Sequence, residues 1–168
     1  MSERYFLKQV WCYNLAVLIT ELKRTQNGLW VDPDDQSAWL YHSWLLGETF
    51  SLRQQDGIKP ILAPTSKEEK IVVLQGEIQL LEELLEEVPD SKCKSPSPHW
   101  FTVVGCLNSI SVYKIALARV QQTEVPDEVT RMITKLEQGD PMRAGRYKDW
   151  RDAIARTASQ STTVTSAV

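Results

Sequence analysis

Pro33, Pro89 and Pro141 each stand beside an aspartate, and each precedes a segment with helical apolar spacing. These starts recur about every fifty residues, and a regular period in this range points to a stacked array of helical hairpins. The first start is the most detailed. Asp32 can cap orphan N–H groups, and Pro33 suits the first helical position, where a missing N–H costs nothing. Asp34 and Asp35 complement the positive end of the helix dipole. Trp39, His42 and Leu46 form one row, and Ala38, Tyr41 and Leu45 form the next. Together they make one broad apolar face, and Gly47 supplies a helix stop. Val88-Pro89-Asp90 then precedes Trp100, and Gly139-Asp140-Pro141-Met142-Arg143-Ala144 precedes Tyr147 and Trp150.

Between these starts the pattern is helical. Residues 5–30 read as a long helix with Leu15, Leu18, Leu22 and Leu29 near one face, and 35–46 as its partner. Gly57, Pro60 and Pro64 make the stretch from Phe50 to Ser66 a loop, long for a hairpin array. Over 67–88, Ile71, Leu74, Ile78, Leu81, Leu85 and Val88 keep strict 3-4 spacing. The opposite face, with Glu77, Glu82, Glu83, Glu86 and Glu87, reads as solvated. The repeat is too short for a coiled coil. Ser91–Pro98 is a flexible Ser/Pro/Lys insertion. Residues 100–120 are apolar nearly all round, which asks for burial on several sides. Their β-branched content also permits a hairpin turning at Asn108-Ser109, and the repeat context selects a helix. Pro126 starts a helix with Val129, Met132, Ile133 and Leu136 inward and Gly139 as its cap. Asp140-Pro141 starts the last helix, to about Ala158. The expected organisation is one all-α domain over 1–158, with hairpins at about 5–47, 67–120 and 126–158, and a disordered Ser/Thr-rich tail at 159–168.

Composition narrows the function. An apolar content of 42% can build a core, and a net charge of −3 argues against sequence-independent nucleic-acid binding. Cys12, Cys93 and Cys106 are far apart, so neither a disulfide framework nor a zinc site is supported, and reduced thiols in the cytoplasm are expected. The apolar run Val10–Ile19 lacks a small-x-small cleavage pattern and is too short to span a bilayer, so no membrane insertion is expected. No phosphate-binding glycine loop, metalloprotease helix or nucleophile elbow occurs. His42 reads as a packing or hydrogen-bonding residue between helices, and His99 lies at a helix start without a metal partner in the sequence. The expected list of catalytic, cofactor and metal residues is therefore empty.

The Asp-Pro start, the Ala38-Trp39 pair, Tyr41-His42 and Leu45-Leu46 together resemble the repeat of protein prenyltransferase alpha subunits. Asp140-Pro141-Met142-Arg143-Ala144, followed by Tyr147, is similar to the last repeat of the type II alpha subunit, that of Rab geranylgeranyltransferase. The resemblance covers roughly residues 15–155, sharply at 32–47 and 137–147. It implies a short right-handed, TPR-like solenoid whose repeat positions are Asp32, Pro33, Trp39, Tyr41, His42, Leu46, Trp100, Asp140, Pro141 and Arg143. It also implies a β-subunit partner that carries the zinc and most of the isoprenoid pocket, no cofactor in this chain, and docking of the Rab escort protein and its Rab GTPase. The family's diphosphate-binding lysine lies in an earlier repeat with no match here, so the isolated chain is expected to be inactive. Ser43 follows His42 at a position where a basic residue would be unsurprising, and Ser91–Pro98 lengthens the second connection. The rivals are the alpha subunit shared by farnesyltransferase and type I geranylgeranyltransferase, which Asp140–Ala144 disfavours, and a non-enzymatic helical-repeat adaptor.

Overall fold

In the computed structural model the backbone is described over 3–50, 66–87 and 99–165, and side chains over 16–47, 66–87 and 99–156. Residues 51–65 of the loop expected from Phe50 to Ser66, the start at Pro89 and the Ser91–Pro98 insertion lie outside the described residues, while Phe50 itself ends α2. Among the described residues there are six α-helices and no strand: α1 (Glu3–Val31), α2 (Gln36–Phe50), α3 (Lys67–Glu87), α4 (Trp100–Gln121), α5 (Asp127–Gly139) and α6 (Ala144–Thr165), with a 3-10 turn at Pro141–Arg143 before α6. The all-α reading built from helical hairpins holds. The chain divides into two compact units, 1–72 and 73–168, and the division falls inside α3.

In the first unit, α1 and α2 pair across a short turn. Leu18, Leu22 and Leu29 of α1 are buried, as their spacing predicts, while the side chain of Leu15 lies outside the described residues. Thr25 shares the buried stripe because its hydroxyl donates to the Glu21 carbonyl at 2.7 Å, which satisfies it locally. On α2, Trp39, His42, Leu45 and Leu46 are buried.

The start of α2 differs from the expectation. Asp32 is not its cap, since its N–H still donates to Gly28 of α1 at 2.9 Å. Asp35 N–H donates to the Asp32 carbonyl at 3.2 Å and closes a four-residue reversal with Pro33 in second position. Aspartate first and proline second are the preferred turn residues there, so the dipeptide serves the turn instead of the helix. The cap is Asp35, whose Oδ1 accepts from Ser37 N–H at 2.8 Å. Gly47 does not end α2, which continues to Phe50. An interior glycine costs only about 1 kcal/mol relative to alanine, which the buried Leu45-Leu46 pair can offset.

A reciprocal capping box opens α3: Ser66 N–H donates to Glu69 Oε2 at 2.7 Å, and Glu69 N–H to Ser66 Oγ at 3.1 Å. Leu74, Ile78, Leu81 and Leu84 are buried. So is Glu77, which was expected on the solvated face. It lies three residues after Leu74 and four before Leu81, hence on the apolar stripe, and it does not lack a partner.

Helix α4 is continuous through Asn108 and Ser109, which removes the hairpin alternative. Its buried residues fall on most of its circumference, from Thr102 and Val103 to Ala118. Among the described residues it alone is long and apolar enough to cross a membrane, and most of that stretch is buried in the protein. Val103, Val104 and Leu107 pack with Val129, Ile133 and Leu136 of α5 and Tyr147 of α6 to form the core of the second unit. Trp150 and Ile154 of α6 extend this core. Lys114, 12% exposed at its side chain, reaches Glu82 of α3 at 2.7 Å and Glu128 of α5 at 2.6 Å. Burial alone would lower its pKa, but these hydrogen bonds, Glu128 first and then Glu82, raise it above 10.5.

The end of α4 turns on Gln122 at φ 60°, ψ 40°. Thr123 N–H donates to Ala118 at 2.9 Å across this left-handed residue, closing the helix. A side chain with a Cβ is strained in that conformation by about 1 kcal/mol, and glycine is not. Gln122→Gly is therefore expected to raise the melting temperature by a few degrees, despite the looser unfolded chain. An unchanged or lower melting point in a calorimetric scan would show that Gln122 contributes more than its backbone costs.

Gly139 is the last residue of α5 and Asp140 is its cap, one position later than expected. Asp140-Pro141 opens the 3-10 turn, and α6 begins only at Ala144. α6 continues to Thr165, past the end near 158 and into the segment expected to be disordered.

Candidate binding surface

The predicted positions do not converge on one site. Each helps build its own hairpin, and one of them is exposed in a way the sequence did not suggest. Trp39 is 8% exposed, and its indole Nε1–H donates to the Pro33 carbonyl at 2.8 Å. Ring burial and turn closure are thus joined in one side chain. His42 and Leu46 are fully buried, and His42 is not without a partner.

Tyr41 was expected on the buried face and is instead 42% exposed. Positions 40, 41 and 44 lie opposite the 39/42/46 row on a 3.6-residue helix, so they face outward when that row faces inward. Leu40 and Trp44 are exposed beside Tyr41. The Tyr41 and Trp44 rings stack at 5.8 Å and 15°. Tyr41 Oη–H donates to Glu21 Oε2 at 3.1 Å, and the other oxygen of Glu21 accepts from Arg24 at 2.6 Å. The result is an ordered aromatic face on the first hairpin. A helix apolar on both sides normally has both covered, and exposed apolar patches rimmed by polar groups mark interaction surfaces. Helix α4, which asked for burial on several sides, is largely buried, and α2 carries an exposed apolar face.

In the second unit, Trp100 and Gly139 meet directly. A Cβ built on Gly139 would stand 2.1 Å from Trp100 Cη2, so the glycine makes room for an indole instead of adopting an unusual φ. Asp140 is a buried carboxylate at the head of the last hairpin element. Its Oδ2 accepts from Arg143 Nη1 at 2.9 Å and from Tyr147 Oη–H at 3.0 Å. Pro141 is the first residue of the 3-10 turn that brings Arg143 back to this carboxylate. Arg146 lies 4.9 Å over Trp150, which meets Tyr147 edge-on at 6.0 Å. Asp140-Pro141-x-Arg143-x-x-x-Tyr147 is thus a folding motif that closes α5 onto α6.

Burial first, then the hydrogen bond to Asp140, raise the Tyr147 phenol above its ordinary 10.0. A raised folded-state pKa contributes stability fully below the unfolded value, near pH 10, and loses it as pH rises through the folded value. Denaturation midpoints should therefore fall above about pH 10, and less steeply in Tyr147→Phe, which is also less stable at neutral pH. Lys114 falls off over the same range in both proteins, so the difference in slope isolates Tyr147. Superimposable slopes would show that the phenol is not held by Asp140.

Among the described residues no group of three or more His, Cys, Asp or Glu side chains could hold a metal ion. Cys106 is buried and its thiol is pushed up to about 12, far from a reactive thiolate. His99 occupies the cap position of α4 without capping it by its side chain.

The chain is 31% identical over 143 residues to geranylgeranyl transferase type-2 subunit alpha of Schizosaccharomyces pombe, covering 82% of this chain and 37% of the relative. The chain is a homologue of type-2 geranylgeranyl transferase alpha subunits. The same subunit of Dictyostelium discoideum is 25% identical over 134 residues, 80% of this chain and 34% of that protein. The Homo sapiens subunit is 61% identical over 31 residues, 18% of this chain and 6% of that protein. The chain thus spans about a third of the length of the relatives that match most of it. No protein-family model matches it, and no solved structure does. In this chain the outward Tyr41 and Trp44, the Trp100–Gly139 contact and the Asp140 cluster are the features that sequence spacing alone left unread. The Ser66–Glu69 box was legible as Ser-x-x-Glu, and the outward aromatic row could have been found by plotting both faces of α2.

Proposed function

We propose that this chain acts as part of the alpha subunit of a type-2 geranylgeranyl transferase. It supports the β subunit in moving geranylgeranyl from its diphosphate to C-terminal cysteines of Rab GTPases, and it helps to dock the Rab escort protein. The observation that carries the reading is the 31% identity spread over 82% of the chain with a relative of that name. On this reading zinc belongs to the β subunit, where it activates the acceptor thiolate. The present chain supplies packing surface, and its working compartment is the cytosol. The Leu40–Tyr41–Trp44 face is the proposed β-subunit contact, an apolar area of the kind that obligate interfaces cover.

Size-exclusion chromatography of the chain mixed with candidate β subunits tests this. Co-elution with the type-2 β subunit is expected, and Trp44→Glu should abolish it while leaving the helical circular dichroism intact. The chain alone should transfer no labelled geranylgeranyl to a Rab protein in the presence of its escort. Preference for the farnesyltransferase β subunit would move the assignment to that enzyme. A monomer that ignores both would favour an adaptor.

A further inference from the structure

No further inference is drawn: the strongest candidate, the groove between α3, α4 and the α4–α5 turn with Glu82, Glu124 and Glu128 at its rim, is an acidic cluster in which Glu82 and Glu128 already hold Lys114, and nothing in the structure points to a ligand for it.

Discussion

Trp39→Ala is expected to cost about 3–5 kcal/mol, the usual range for truncating a buried aromatic, and to uncouple α2 from the turn before it. Two losses add. The ring leaves a void on the row shared with His42 and Leu46, both fully buried. The Pro33 carbonyl also loses the indole N–H that reaches it at 2.8 Å. Trp39→Phe separates them, because it keeps most of the apolar volume and removes only the donor. Its expected cost is nearer 1 kcal/mol plus a smaller packing term. Urea denaturation of the three proteins, followed by far-ultraviolet circular dichroism, measures both steps. If Trp39→Ala matched the parent midpoint, the row would be facing solvent and the account of the first hairpin would fail. If Phe cost as much as Ala, the hydrogen bond would outweigh the ring.

The second large effect is at Gly139. Adding one methyl there places it 2.1 Å from Trp100 Cη2, a distance no relaxed contact allows. An indole is rigid, so either the ring leaves its seat or the end of α5 shifts. Overpacking of this kind costs about 1–3 kcal/mol, although alanine is otherwise the better helix residue. The diagnostic is a double-mutant cycle with Trp100→Leu. Once the ring is gone, Gly139→Ala should become neutral or stabilising, with a coupling energy of about 1–3 kcal/mol. Additive effects of the two substitutions would mean that the contact does not govern this site.

The helices were legible because their apolar spacing is local information. Leu18, Leu22 and Leu29 on α1, Leu74, Ile78 and Leu81 on α3, and Val129, Ile133 and Leu136 on α5 are buried at the positions their periodicity assigns. Family was legible from residue identities at a few positions, Asp-Gln-Ser-Ala-Trp and Asp-Pro-Met-Arg-Ala, independently of any geometry. Boundaries were less so. Asp32-Pro33 satisfies a turn and a helix start equally well, and the backbone hydrogen bonds of Asp32 and Asp35, with the Asp35 cap on Ser37, distinguish them. Glycine at 47 and at 139 looked like a helix stop in both places. One lies inside α2 with open space around it, and the other ends α5 under an indole.

Sequence by itself therefore determined the secondary structure class, the apolar rows and the kinship, since each depends on which residues recur at which interval along one chain. Tertiary structure decided what each special residue is for. Trp100 needs Gly139, Tyr147 needs Asp140, Lys114 needs Glu82 and Glu128, and each partner stands outside the helix that carries the first residue. It also decided that Tyr41 and Trp44 face outward, because a helix apolar on two sides does not state which side its own hairpin will cover. Periodicity gives a helix its faces, and only packing against a second element selects the one that is buried.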